Sequence, residues 1–531
     1  MMKHILILFL ILAVSHISAQ PRELFQRSFG GTKNDIPGQI LETADGGYML
    51  AGRLKSNDGD VSGNHGEYDI WIAKLNPDFS VRWQKCYGGS NSESFGGILE
   101  VGHGEFIIAG STHSIDGDLA TTADSKSEDL WIFSIDSVGN IIWQKRYGGT
   151  GDEYPVSLIA GGEGEYLILS ETNSTNGDIK NFHGGYDMWL VAINQSGSLL
   201  WGYNYGGSRD DQAGSILKTS DGGYAVAGYT YSTDGDLKNK KSDSSADYWL
   251  IKLTPSGEIA WQKTYGGSSF DFAYSATETL DHGFLLCGET NSNDKDVSGL
   301  HGIYYDDSWI IKTDSKGAIE WSKTYGGSNG DAAYSAIQTS DSGYIVSAST
   351  ASTDGDVSGN HGLSDCWIYK INSSGALQWQ DCFGGTWSDA SLGSGVMQTK
   401  DSNFLVLSMT SSRDLPGRKG DTADFDFWLV KFTLQKSGVK FVQSLSDYSL
   451  SLSPNPTASL LKIDYQLDEA TDSRIELCDV MGQVLQKYYF PNETTGLHQH
   501  TIDLAKYPSG SYYARFSAGR KSFVRRFEIL R

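Results

Sequence analysis

A polar loop recurs along this chain with acidic side chains at a spacing that suits a hard cation. The fullest copy reads Asp58-Gly-Asp60-Val-Ser62-Gly63-Asn-His65-Gly-Glu-Tyr-Asp69. Oxygen donors fall at loop positions 1, 3 and 5, a glycine at 6 and an acid at 12. Alternating oxygens of this kind can wrap calcium, and the glycine permits the bend. Asp354, Asp356, Ser358 and Asp365 repeat the pattern in full. Asp294, Asp296 and Ser298 repeat its first half, with acids arriving late at Asp306 and Asp307. Asn176 with Asp178, Asp234 with Asp236, and Asp116 with Asp118 keep only part of it, and Asp414-Leu-Pro breaks it. A second reading stands beside calcium: the same side chains cap their own backbone as Asx turns.

The spacing resembles an EF-hand-type calcium loop, but the flanking segments read as strands and position 12 is Asp where Glu is usual. Histidines recur in the same loops (His65, His183, His301, His361), each followed by glycine. If the copies lie in different structural units, these histidines cannot meet at one metal, and repetition accounts for them. No Gly-x-Ser-x-Gly elbow, zinc-spaced His/Cys set or phosphate loop appears, so no catalytic residue is assigned. Acidic residues are common enough that a glycosidase-type carboxylate pair stays open.

These loops are positioned by a repeat. Trp71, Trp131, Trp189, Trp249, Trp309, Trp367 and Trp428 recur at intervals of 58 to 61 residues. In the clearest unit, Ser215–Thr219, Tyr224–Tyr229, Tyr248–Leu253 and Glu258–Tyr265 read as four short strands. Asp221-Gly-Gly223 and Pro255-Ser-Gly257 turn the chain between them, and Gly266-Gly267 ends the unit. Four strands in a meander make one propeller blade, and seven copies make a ring. The expected fold is all-β: a seven-bladed β-propeller of four-stranded blades over residues 20–440, followed by a small C-terminal β-sandwich. The tryptophans are expected to pack blade against blade. The repeat's Ser-Gly-x-x-x-Trp end resembles that of quinone-enzyme-like propellers, where it serves packing, and implies no organic cofactor. Two candidates compete to finish the seventh blade. One is the N-terminal segment Phe25-Gln-Arg-Ser-Phe29-Gly-Gly; the other is Val439–Gln443, and both cannot fill one slot.

Residues 1–19 read as a signal peptide, with an apolar run of ten residues from Ile5 to Val14 and small residues before Gln20. That run is too short to span a membrane, and no later stretch suits a transmembrane segment. The net charge of −23 argues against nucleic acid as a partner. Five cysteines are few for an exported chain, and only Cys366 and Cys382, flanking one hairpin, suggest a disulfide.

After a linker at 441–452 the repeat gives way to a segment at 453–531. It opens with Pro454-Asn455-Pro456 and contains the turn Asp479-Val-Met-Gly482. It continues with Leu504 and the run Pro508-Ser-Gly510-Ser-Tyr512-Tyr513, and ends in a basic strand from Lys521. These motifs resemble the type A C-terminal sorting domain of the type IX secretion system of Bacteroidetes. The resemblance implies recognition by the type IX machinery and export to the outer cell surface or beyond. The repeats look like the tandem-repeat propellers often joined to such domains. The expected function is therefore a binding or adhesion module for an extracellular glycan or protein ligand. A surface carbohydrate-active enzyme of glycoside hydrolase or lyase type, or a structural surface or matrix protein, are the alternatives.

Overall fold

The computed structural model describes residues 20–530 except 103, 120–126, 238–239, 241–244, 303, 422, 436–450, 454–456, 468–469, 479–483 and 519–520. The expected signal peptide, the Val439–Gln443 strand, most of the linker, and Pro454, Asn455, Pro456, Asp479 and Gly482 lie outside the described residues. The chain divides into two compact units, one over Pro21–Thr433 and one containing Leu434–Arg531.

The first unit is a seven-bladed β-propeller. Six four-stranded antiparallel sheets follow in chain order: blade 1 (35–87), blade 2 (93–147), blade 3 (153–205), blade 4 (211–265), blade 5 (271–325) and blade 6 (331–383). Blade 7 joins Asp389–Gln398, Phe404–Thr410 and Asp426–Gln435 to the N-terminal strand Gln20–Phe29, which lies beside Asp426–Gln435. The N-terminal segment therefore supplies the missing fourth strand. The first strands contact one another around the ring, and blade 7 meets blade 1 where the backbone N–H of Lys400 donates to Glu42 at 3.0 Å.

Blade 4 shows why the sequence folds this way. Asp211–Lys218 pairs with Tyr224–Thr230, that strand with Asp247–Leu253, and the last with Ile259–Tyr265. The second and third strands are buried on both faces, which suits the middle of a stacked sheet. The seven repeat tryptophans are all buried at 0–1% exposure. Their indole N–H groups reach the neighbouring fourth strand: Trp71 donates to Gln84 at 2.8 Å, Trp131 to Gln144 at 2.9 Å and Trp249 to Gln262 at 2.7 Å. In blades 1 to 5 the tyrosine that ends the fourth strand then grips the next blade. Tyr87 donates to the Gly139 carbonyl at 2.7 Å and Tyr265 to the Gly317 carbonyl at 2.7 Å. Gly139 has φ +81° and lies against the Trp83 ring, so the turn needs glycine both for its backbone and for its closeness.

A β-bulge interrupts the first strand at the same place in successive blades, between Pro37 and Gln39, Pro155 and Ser157, and Ala213 and Ser215. First strands lie innermost. Their middles line a central channel of about 660 Å³.

The second unit has one sheet of Ser451–Ser453, Leu460–Leu467 and Gly496–Asp503. Its other sheet holds Val484–Glu493, Thr471–Cys478, Gly510–Ala518 and Lys521–Ile529. Leu461, Ile463 and Tyr465 of the first sheet share a core with Ile475, Leu477 and Phe516 of the second, which makes a β-sandwich. None of the five cysteines forms a disulfide, and all are buried. Cys366 and Cys382 form no bond, because Cys366 stands opposite Phe383 in the ladder and Cys382 opposite Trp367.

Candidate ligand site at the channel mouth

The Asp-Gly-Asp loops join the second strand of each blade to the third. They share one face of the ring with the Gly-Gly links between blades. Their first acid caps the Gly-Gly turn that ends the preceding blade. Asp58 accepts from the N–H and hydroxyl of Thr32, each at 2.8 Å. Asp116, Asp234, Asp294 and Asp354 accept from the N–H of Ser90, Ser208, Ser268 and Ser328, each at 2.7 Å. The second acid exchanges two hydrogen bonds with the first glycine of that turn. Gly266 N–H donates to Asp296 at 3.2 Å while Asp296 N–H donates to the Gly266 carbonyl at 3.4 Å. Gly326 donates to Asp356 at 3.4 Å, whose N–H returns a bond to Gly326 at 2.8 Å. Asp60 N–H bonds the Gly30 carbonyl, and its carboxylate meets Lys419 at 2.8 Å and Arg27 at 3.5 Å. Ser62 and Ser358 take the amides of Gln84 and Gln380, each at 2.6 Å, and the Ser298 carbonyl takes Thr324 at 3.3 Å. The loop thus staples one blade to the next. Among the described residues, no three acids, histidines or cysteines gather where they could hold a metal ion.

The histidines have a role that repetition alone does not explain. Asp69, Asp187, Asp307 and Asp365 open the third strands and are fully buried. The ring nitrogens of His65, His183, His301 and His361 lie 2.6–3.0 Å from these carboxylates. In blades 2, 4 and 7 an arginine or lysine takes the histidine's place, with Arg146 on Asp129, Lys240 on Asp247 and Arg418 on Asp426. Every blade therefore gives this acid a hydrogen-bonding or charged partner, as its burial requires. A second buried acid opens each first strand. Asp211 accepts from Gly207 N–H at 2.7 Å and Ser232 hydroxyl at 2.8 Å, and burial raises its carboxyl to about 6. Burial lifts Glu93 and Glu153 to about 7. The two acids flank the Gly-Gly link so closely that a Cβ on Gly206 would sit 2.4 Å from Asp187 and 2.9 Å from Asp211.

Against this regular frame, the channel mouth on the loop face breaks the sevenfold pattern. The last residue but one of the second strand is Arg53, Ser111, Glu171, Tyr229, Glu289, Ser349 and Met409 in blades 1 to 7. Glu171 accepts from Ala213 N–H of the next blade at 3.1 Å. Tyr229 packs edge-on against Phe272 of the next blade at 4.7 Å. Glu289 accepts from the Tyr274 hydroxyl at 2.8 Å, and Tyr274 stacks on Tyr334 of the next blade at 5.1 Å. Successive blade joints thus hold acid, aromatic, acid. Ala213, Tyr274 and Tyr334 also line the channel. Burial pushes the carboxyls of Glu171 and Glu289 up to about 7. Outward from Tyr229, the rings continue through Tyr231, Phe270 and Phe272. Phe270 is 47% exposed, and the Arg209 guanidinium lies over Tyr231 at 5.6 Å. The sequence reading missed this group. Aligning the seven repeats position by position would have revealed it, since the frame residues recur and these do not.

In the second unit, the Tyr512 hydroxyl donates to the Pro508 carbonyl at 2.9 Å and Gly510 opens the next strand. Residues 451–529 match the family of secretion system C-terminal sorting domains. The C-terminal unit is a type IX sorting domain. The protein is accordingly a type IX-sorted propeller, marked for export to the cell surface or beyond. No helix among its described residues is long and apolar enough to cross a membrane. Over 450 residues the chain is 21% identical to the regulatory protein FlaEY of Caulobacter vibrioides, a match covering 76% of this chain and 45% of that protein. It thus spans under half the length of that relative. Among solved structures, a puromycin hydrolase aligns with TM-score 0.43 and 10% identity over 82% of this chain and 59% of its own. PorZ, a surface component of the type IX secretion system of Porphyromonas gingivalis, aligns with TM-score 0.30 and 10% identity over 91% of this chain and 69% of its own.

Proposed function

We propose that this sorted propeller is a surface binding module that takes a glycan across the channel mouth between blades 3 and 6. One observation carries the reading: Glu171, Tyr229 and Glu289 break an otherwise sevenfold frame in three adjacent blade joints, beside exposed aromatic rings. Flat rings such as Phe270 and Tyr231 offer faces on which a sugar ring can stack, and the carboxylates accept from its hydroxyls. The remaining blades supply a rigid scaffold. A glycan screen of the full chain tests the reading. Wild-type protein is expected to retain selected glycans, and the Tyr231→Ala/Phe270→Ala pair to lose them with its melting temperature kept. Retention unchanged in that pair would overturn the placement.

A second reading, glycoside hydrolysis, draws support from Glu171 and Glu289 alone. A carboxyl near 7 keeps a proton at neutral pH and can act as a general acid. Release of shortened sugars, abolished in Glu289→Gln, would favour it over binding alone.

A further inference from the structure

The β-bulge of the first strand sets one residue of each of blades 1 to 6 against the central channel. In blades 1, 2 and 4 it is Gly38, Gly96 and Gly214, where the next blade leaves a Cβ no room. Blade 3 carries Val156 there, and blades 5 and 6 carry Tyr274 and Tyr334. All six line the channel. The two tyrosine rings lie 5.1 Å apart and within 17° of parallel, and Glu289 at the mouth accepts from the Tyr274 hydroxyl at 2.8 Å. One side of the wall is therefore a fixed aromatic platform. The wall also holds hydrogen-bond donors. Ser215 and Ser335 hydroxyl oxygens accept the N–H of Ala276 and Val396, each at 3.1 Å, and Gln39 Oε1 accepts that of Ile98 at 3.0 Å. A serine oxygen that accepts still carries a proton to donate, and the glutamine amide carries two. Among the described residues of this wall there is no aspartate, glutamate, lysine, arginine or histidine, in a chain with 42 basic and 65 acidic residues.

We infer that the channel takes the uncharged end of a glycan, with a terminal sugar inserted along the ring axis. The inference rests on the glycan reading above and adds which part of the glycan is recognised. First strands surround the channel, so a chain lying across the mouth enters it only end first. The channel volume of about 660 Å³ falls within the range of about 300–1,000 Å³ usual for small-ligand sites. Tyr274 and Tyr334 offer faces to the C–H side of a sugar ring, while Ser215, Ser335 and Gln39 donate to its oxygens. A carboxylate or ammonium group there would leave water and meet no counter-charge on the wall, which burial penalises heavily. A neutral terminal sugar brings hydroxyls and an apolar face, which are what this wall can match.

Calorimetry in solution tests this with the full chain. The probes are neutral hexamers of glucose, mannose, galactose and xylose, each beside the same chain bearing one uronic acid at either end or in mid-chain. Wild-type protein is expected to bind at least one neutral hexamer, to lose it when the acid caps one end, and to keep it when the acid sits in mid-chain. Val156→Trp puts a large ring where blades 5 and 6 already hold one. It is expected to lose the neutral hexamer with its melting temperature kept. Equal affinity for neutral and end-capped hexamers would overturn the channel proposal, as would full binding by a folded Val156→Trp. Equal loss with the acid in mid-chain would overturn it too, because the net charge of −23 would then repel any acidic chain. In these cases the glycan reading stands, and the Tyr231→Ala/Phe270→Ala pair tests it separately. Binding of none of the hexamers would also overturn the channel proposal, and the wider glycan screen then decides the glycan reading. The end-capped comparison needs no variant, so it decides even where Val156→Trp fails to fold.

Discussion

The indole N–H of Trp428 donates to the side-chain oxygen of Gln26 at 3.3 Å, across 402 positions of sequence. In blades 1, 2, 4 and 6 the same bond runs between a third-strand tryptophan and a fourth-strand glutamine 13 residues later. The N-terminal strand therefore occupies the fourth-strand slot of blade 7 in its side chains as well as its backbone. Phe29, fully buried on that strand, belongs to the core that blades 7 and 1 share. Phe29→Ala should cost about 3–5 kcal/mol, as buried aromatic truncations do. Gln26→Ala should cost only about 1 kcal/mol, since it removes one hydrogen bond. Denaturant unfolding of the two variants checks the ranking, and a larger loss for Gln26 would argue against this closure.

The loop staples give the next expectation. Asp234 caps Ser208 N–H, and neighbouring Asp236 bonds both ways with Gly206. Asp234→Ala should lower the melting temperature of the propeller, because it removes this cap. Because backbone donors already occupy these carboxylates, adding calcium or a chelator should leave the melting temperature of the wild-type protein unmoved. A rise with calcium that disappears in Asp58→Ala would show that the loop holds an ion as well as a turn.

The pH dependence of stability has a definite sign. Burial holds Glu93 and Glu153 at about 7 and Asp271 and Asp331 at about 6, all above their values in an unfolded chain. The folded state binds their protons more tightly, so their contribution is fully present below about pH 4 and fades as pH rises through 6 to 7. Asp221 and Asp281 act oppositely. Asp221 is lowered to about 2 by Thr219 and Lys252. Asp281 also stands at about 2, where Thr279 and Lys312 outweigh its partial burial. Their contribution is lost only in strong acid. Melting temperature should therefore fall between pH 5 and pH 8, and Glu93→Gln should flatten that fall. A melting temperature that climbs steadily across the same range would contradict the assignment.

Much of this architecture is legible in the residues, and the illegible parts share a cause. The tryptophan period, the Gly-Gly breaks and the orphan Phe25–Phe29 strand are local patterns, and each marks an element that local patterns determine. The destination of Asp58 is not local. Its partner Thr32 lies 26 positions upstream in the link from the previous blade, so loop spacing alone does not reveal this staple. The histidines were legible as repeats, yet their aspartate partners appear only once the third strand buries them. Glu171 and Glu289 sit inside ordinary strand patterns. Only the ring sets them on either side of Tyr229.

The cysteines offer a last check on packing without covalent staples. Burial raises the thiols of Cys86 and Cys382 well above the usual range, and Cys287 to about 12. A thiol reacts as its thiolate, so these groups should be inert in the folded protein at neutral pH. A thiol-specific reagent should label none of the five quickly in native protein and all five after unfolding. The reducing agent should leave the melting temperature unchanged, because Cys366 and Cys382 face different cross-strand partners. Loss of one labelling pair in the unfolded, unreduced protein would reveal a disulfide and would require the hairpin of blade 6 to shift its register.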